Sequence, residues 1–167
     1  MSHAHIKPAA GLEALEPLVG KWHTEGQQLE GPFGPAAPFV AVETFEWLDG
    51  GRFLVHRLDG HVGQQPAACV EVLGKRDDNQ LFAQTFYNDG RRNDWIVKAE
   101  GNALVWNGTW STAPGEALSV SYTVSFEDAS NTLVGKWEQS SDGQAWHPFL
   151  EVRATRALPL PDASIGV

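Results

Sequence analysis

Cysteine, positive charge and long apolar runs are scarce in this sequence. Its one cysteine, Cys69, cannot form a disulfide within the chain, which is typical of a protein from a reducing compartment. Twelve lysines and arginines stand against 21 aspartates and glutamates, and the formal net charge of −9 argues against a nucleic-acid partner. No apolar run has the length of a membrane span or of a signal-peptide core. We therefore expect a cytoplasmic protein that binds neither nucleic acid nor membrane.

The sequence also lacks the compact motifs that identify many metal and catalytic sites. Zinc needs three or four converging ligands, and no closely spaced ligand pair is present. The histidines that were considered as ligands lie on separate predicted strands: His23, His56, His61 and His147. There is no Gly-x-Ser-x-Gly nucleophile elbow. A Ser-His-Asp triad built from residues distant in sequence needs no such motif, so its absence does not exclude a triad. The sequence predicts no metal site and identifies no catalytic residue.

Aromatic residues, in contrast, are abundant. Seven tryptophans and eight phenylalanines in 167 residues are more than the core of one small domain needs. Aromatic side chains at this density often line a cavity or an interface as well. The length is that of one domain with a core large enough to fold without disulfides or metals.

Short alternating segments separated by turn residues fill the chain after Gly20. Asp49-Gly50-Gly51 and Asn88-Asp89-Gly90 are hairpin signals, and residues 118–126 alternate most regularly. Before Gly20, leucines at positions 12, 15 and 18 predict one short helix over residues 11–18. A meander this long usually closes to remove its edges. We predict an all-β fold, an antiparallel up-and-down barrel of about nine or ten strands with a short N-terminal helix. It spans residues 11–156, between an N-terminal arm (1–10) and a C-terminal tail (157–167).

One predicted loop is dense in glycine and proline. Residues 31–38 read Gly-Pro-Phe-Gly-Pro-Ala-Ala-Pro. The segment is either a plain strand connection or a lid over the barrel mouth, with Phe33 as its apolar tip.

The start and the end of the chain carry recognisable motifs. Gly20-Lys21-Trp22 after a short helix resembles the lipocalins and the wider calycin superfamily. The resemblance implies that Trp22 packs at the closed end of the barrel, with Arg153 or Arg156 from the last strand against its ring. Leu-x-x-Leu-x-Gly-x-Trp at residues 15–22 and Trp-Glu-x-Ser-x-Asp-Gly-x-x-Trp at residues 137–146 are similar to bacterial lipocalin-like proteins of unknown function. That likeness implies the fold and carries no assigned activity.

A more distant resemblance is to the nitrobindins, barrels that bind haem through a histidine on the last strand. In Pro148-Phe149-Leu150 the ligand position is occupied by Phe149, and His147 lies two residues earlier, which keeps the same strand face. Haem bound through His147 is therefore an alternative; otherwise we expect no cofactor.

Polar side chains among apolar ones on two predicted strands suggest a ligand site. Glu43 shares a strand face with Phe45, and His56 shares one with Leu54 and Leu58. These polar groups either orient a ligand in a cavity or face water. We expect an aromatic-lined cavity with Glu43 and His56 as its polar contacts. The expected lining aromatics are Phe45, Trp47, Tyr87, Trp95, Trp106 and Tyr122.

The predicted function is the binding of a small hydrophobic molecule. The alternative from another class is an enzyme that uses Glu43 and His56 as an acid–base pair on an apolar substrate. Large apolar residues on both faces of several strands also suggest a two-fold symmetric homodimer.

Overall fold

The computed structural model describes residues 5–157, with one short helix and ten strands. The helix is a 3-10 helix over Glu13–Leu18. The strands are β1 (Gly20–Gln28), β2 (Ala37–Trp47), β3 (Leu54–Val62), β4 (Gln65–Lys75), β5 (Leu81–Tyr87), β6 (Arg92–Glu100), β7 (Ala103–Ala113), β8 (Glu116–Glu127), β9 (Thr132–Ser140) and β10 (His147–Arg156). Of the proposed tail, only residue 157 lies within the described part of the chain.

The ten strands form a closed antiparallel barrel. Each strand pairs with its neighbour in sequence, and β1 pairs with β10 to close the ring, so no edge is left unpaired. The predicted all-β, up-and-down barrel is confirmed. Within the described range, no helix is long and apolar enough to cross a bilayer.

The N-terminal helix is shorter and tighter than the sequence predicts. It begins at Glu13 rather than at residue 11, and it ends at Leu18 as predicted, with Pro17 inside it. Its hydrogen bonds do not need the proline nitrogen, because Leu15 donates to the Leu12 carbonyl and Val19 to the Glu16 carbonyl. Leucines 12, 15 and 18 are all buried, so the helix closes one end of the barrel with its apolar face.

Trp22 and Arg156 form the centre of this closed end. Trp22 is fully buried, and its Nε1 donates to the Leu18 carbonyl at 2.7 Å. The Arg156 guanidinium lies 4.2 Å from the centre of the Trp22 ring, a cation–π arrangement. Arg153, the other arginine that the resemblance suggested as a partner of Trp22, does not contact the Trp22 ring. It lies on the outer face of β10, since strand residues alternate, and forms an ion pair with Glu127 at 3.2 Å.

The motif at residues 137–146 builds the turn between β9 and β10. Asp142 Oδ1 accepts the backbone N–H groups of Gln144 and Ala145 at 2.8 and 2.9 Å, and the Ser140 hydroxyl donates to it at 3.0 Å. These hydrogen bonds hold the pKa of Asp142 below its usual range. The serine and aspartate of the motif therefore stabilise a tight connection.

Candidate functional site

The barrel encloses a cavity of about 700 Å³. Its floor includes Leu18 and Trp22 at the closed end. Its mouth is bounded by the β1–β2, β3–β4 and β5–β6 connections, which meet at the opposite end because successive strands alternate in direction. In the described part of the chain, the interior is therefore open to ligands at the end opposite the helix.

Three titratable side chains meet on one wall of this cavity. Glu43, His56 and Glu71 come from the adjacent strands β2, β3 and β4, and His56 is in register with Glu71. Nε2 of His56 lies 2.7 Å from Oε2 of Glu43, and Nδ1 lies 3.4 Å from Oε1 of Glu71. The imidazole thus lies between the two carboxylates.

Neighbouring side chains hold this acidic cluster (Glu43, His56 and Glu71) in place. The hydroxyl of Thr24 donates to Oε1 of Glu43, and that of Thr85 donates to Oε2 of Glu71, both at 2.6 Å. The ring of Phe45 stacks on the imidazole with the two planes 1° apart and the centroids 4.0 Å apart. The orientation of His56 is therefore set by its own neighbours before any ligand binds.

Burial and pairing act in opposite directions on the charges of the cluster. Burial lowers the pKa of His56, but its pairing with the carboxylates of Glu43 and Glu71 outweighs burial and raises that pKa to about 9. Burial raises the pKa of Glu43, and the hydrogen bond and charge of His56 reverse this and hold it below its ordinary value. At neutral pH His56 is an imidazolium beside an ionised Glu43.

An aromatic wall lines the other side of the cavity. Tyr122 and Trp137 stack with ring centroids 4.2 Å apart and planes at 12°, and Trp106 packs on Tyr122 at 5.5 Å. Trp110 and Phe149 extend this wall toward the mouth. In the ten-strand ring, β7 with its two tryptophans lies opposite β2 with Glu43. The cavity has one polar side and one aromatic side.

Two side chains close over the mouth, and both rest on Trp110. The ring of Phe33, from the glycine- and proline-rich loop, lies 5.0 Å from that of Trp110 and 4.3 Å from that of Phe149. The guanidinium of Arg91 lies 4.7 Å from the Trp110 ring and 5.1 Å from the Tyr87 ring. The loop at residues 31–38 thus places Phe33 at the mouth of the cavity.

The structure brings together most of the side chains that the sequence suggests for the cavity. Those that line it are Glu43, Phe45, His56, Tyr87, Trp106 and Tyr122. Trp47 and Trp95 do not line it, and for these two the prediction is wrong. Nε1 of Trp47 donates to Glu16 at the closed end, and the buried Trp95 donates to Thr85 and packs edge-on against Trp137.

Several cavity residues were not predicted from the sequence, among them Trp110, Trp137, Glu71 and Phe149. Trp110 lies four residues after Trp106 and therefore on the same strand face, which would have identified it. Glu71 lies between Cys69 and Leu73 on the inner face of β4. A carboxylate among alternating apolar residues is the pattern that would have identified it as a cavity residue. Phe149 was considered only as the residue at the haem-ligand position.

Haem ligation through His147 does not fit this structure. His147 is exposed and does not line the cavity, because a bulge between Pro148 and Leu150 interrupts the alternation of β10. Phe149 faces the cavity and offers no ligand atom. Both nitrogens of His56 are directed at carboxylates. Within residues 5–157 no group of three or more metal-ligating side chains converges on one point.

Comparison with known proteins supports the fold and assigns no activity. A family model described as "Protein of unknown function (DUF1579)" matches residues 7–156. The crystal structure of Rv2717c from M. tuberculosis superposes with a TM-score of 0.64 at 17% identity, covering 91% of this chain and 100% of that chain. A de novo designed fluorescence-activating β-barrel gives a TM-score of 0.44 at 9% identity, with coverages of 86% and 97%. No curated protein shows significant sequence similarity.

Proposed function

We propose that this chain, which belongs to the DUF1579 family of proteins of unknown function, binds one small, largely apolar molecule inside its barrel. The observation that carries this proposal is the cavity of about 700 Å³ with an aromatic wall facing a single polar cluster. Ligand cavities of roughly 300–1,000 Å³ commonly combine apolar walls with a few convergent polar groups. The apolar body of the ligand packs against the rings, and the polar cluster fixes its orientation.

The buried charges support a binding site over a merely structural interior. Taking ionised groups out of water is costly, and an apolar interior of the same volume would avoid that cost. Here Glu43, His56 and Glu71 are each bordered by the cavity instead of being sealed in the packed core. A ligand that contacts them gains specificity from groups that are already positioned.

The same cluster is less suited to general acid–base catalysis. At neutral pH the raised pKa of His56 keeps the ring protonated, so the ring offers no lone pair to act as a base. Its Nε2–H is held by Glu43 at 2.7 Å, and Nδ1 is directed at Glu71. A proton on His56 is therefore shared with Glu43 and Glu71 and is less available for transfer to a substrate. The contacts of the cluster support a role in orienting a ligand better than a role in catalysis.

Binding of the neutral fluorescent probe N-phenyl-1-naphthylamine tests the proposal. We expect one probe per chain, and we expect Trp106→Leu to weaken binding because it removes part of the aromatic wall. Trp146→Leu is the matched control, because Trp146 is 37% exposed and lies outside the cavity. Thermal unfolding of both variants identifies any loss of fold. The proposal fails if the folded protein binds neither this probe nor any smaller naphthalene derivative, or if a folded Trp106→Leu variant binds the probe as tightly as the parent does.

A further inference from the structure

We infer that the ligand is an amphiphilic amine, with an ammonium group that binds at the acidic cluster and an apolar body against the aromatic wall. This inference rests on the proposed function and specifies its ligand class. It follows from three features of the cavity: its charge, one carboxylate oxygen that accepts no hydrogen bond from the described residues, and its aromatic lining.

The charges that line the cavity do not balance. Glu43, Glu71 and Asp89 are three acidic groups, and His56 and Arg91 are two basic ones. Arg91 and Asp89 pair with each other at the mouth, at 2.7 Å. Deeper in, two carboxylates flank one imidazole, so the acidic cluster has one formal negative charge in excess even when the imidazole is protonated. A buried charge without a counter-charge is costly, and a cationic ligand group would supply it.

One oxygen of the cluster is open to a hydrogen bond from a ligand. Both oxygens of Glu43 accept hydrogen bonds, from Thr24 and from His56. Of the Glu71 oxygens, Oε2 accepts from Thr85. Oε1 lies 3.4 Å from Nδ1 of His56. Nδ1 makes no hydrogen bond to any of the described residues, so it does not donate to Oε1. Glu71 Oε1 is therefore the acceptor to which an ammonium N–H donates.

Aromatic rings, which attract cations through their π-electrons, line the same cavity. At the mouth, the rings of Tyr87 and Trp110 already hold the guanidinium of Arg91 at 5.1 and 4.7 Å. Inside, the rings of Trp106, Tyr122 and Trp137 face the same cavity as the carboxylates. An ammonium group near Glu71 therefore has a carboxylate on one side and aromatic surface on the other. A carboxylate ligand would be repelled by the cluster, and a neutral alcohol would leave the excess charge uncompensated.

Three matched ligands separate these cases. 2-(1-Naphthyl)ethylamine, 2-(1-naphthyl)ethanol and 1-naphthylacetate share one bicyclic body and differ in the charge of the polar end. Isothermal titration calorimetry at pH 7 with the intact chain gives the three affinities. We expect the amine to bind about tenfold or more tighter than the alcohol, because it adds a charge-assisted hydrogen bond. We expect the carboxylate to bind weakest.

A substitution at Glu71 tests the site itself. Glu71→Gln keeps the shape of the side chain and an acceptor for Thr85 but removes the charge. It should reduce the affinity for the amine by about tenfold and leave that for the alcohol nearly unchanged. Glu46→Gln is the matched control, because Glu46 is exposed on β2 and does not line the cavity. It should change neither affinity.

The outcomes for this inference and for the proposed function are distinct. If the alcohol or the carboxylate binds the parent as tightly as the amine, the amine inference is overturned and apolar-ligand binding still stands. The same holds if a folded Glu71→Gln variant keeps the preference for the amine. If the parent binds none of the three ligands and no N-phenyl-1-naphthylamine, the proposed function itself fails.

Discussion

The side chain of Arg156, on the last strand, forms hydrogen bonds with the N-terminal helix and with the β8–β9 turn. Its Nη2 donates to the carbonyls of Pro17 at 2.8 Å and Ser130 at 2.9 Å, and its Nη1 to that of Val19. These carbonyls belong to the N-terminal helix, the link to β1 and the β8–β9 turn. The guanidinium also covers the Trp22 ring. One residue therefore satisfies partly buried backbone acceptors from three parts of the chain.

Truncation of Trp22 should be among the most destabilising substitutions in the protein. Trp22 is fully buried, so Trp22→Ala removes a large packed side chain and leaves a void beneath the helix. We expect a loss of about 3–5 kcal/mol in the free energy of unfolding. Urea denaturation measures it, with Trp146→Ala as the exposed control. A loss below about 1 kcal/mol would contradict a central role for Trp22 at the closed end.

Stability should fall at alkaline pH because of His56. Its pKa is raised from 6.5 to about 9, so the folded state retains a proton that the unfolded chain releases at lower pH. The contribution to stability is complete below about pH 6.5 and declines until about pH 9. It is on the order of 3 kcal/mol. Denaturation from pH 6 to pH 10 should show this decline in the parent and not in His56→Gln. Parallel pH profiles of the two proteins would show that His56 is not the titrating group.

At the scale of strands and turns, alternation predicted much of the barrel. Short periodic segments and glycine-containing turns predicted about nine or ten strands, and residues 118–126, which alternate most regularly, lie within β8. Alternation also indicates which side chains face inward. It does not give the height of a residue along the barrel axis, and for that reason Trp47 and Trp95 were assigned to the cavity. Depth depends on strand tilt and register, which emerge only when the ring closes.

The acidic cluster shows the same limit of sequence reasoning. Glu43 and His56 could be proposed because each interrupts an apolar alternation. Their 2.7 Å contact and the position of Glu71 on the other side of the imidazole depend on the register of three strands. A shift of one residue in either pairing would place one of these side chains on the outer face.

The loop at residues 31–38 should control how fast ligands enter. The Phe33 ring packs on Trp110 and Phe149 across the mouth, so Phe33→Ala should open the cavity. We expect faster association and faster dissociation of N-phenyl-1-naphthylamine in stopped-flow fluorescence, with a smaller change in the equilibrium constant. Phe53→Ala, an exposed phenylalanine outside the cavity, is the control. Unchanged rates in Phe33→Ala would show that ligands enter by another route.

At the scale of the whole molecule, the closed barrel leaves part of its apolar surface outside. Phe86 and Ile96 are 46% and 43% exposed on the outer faces of β5 and β6. Phe86 is in register with Val70 on β4, and Ile96 with Phe82 on β5. These four residues, which we call the outer apolar strip, lie on the outer faces of three adjacent strands, with Gln84 between Phe82 and Phe86 on β5. The barrel interior cannot bury this strip, because strand residues alternate between the two faces.

We predict that two copies of the chain associate through the outer apolar strip. A strip on a rigid barrel wall suits a two-fold contact in which each copy covers the strip of the other. We expect light scattering to give a dimeric mass at high protein concentration, and Ile96→Lys to return it to the monomeric mass by placing a charge in the contact. Val40→Lys is the control, since Val40 is 50% exposed on β2 outside the strip. A monomeric mass of the parent at the highest soluble concentration, or an Ile96→Lys variant that stays dimeric, would contradict association through this strip.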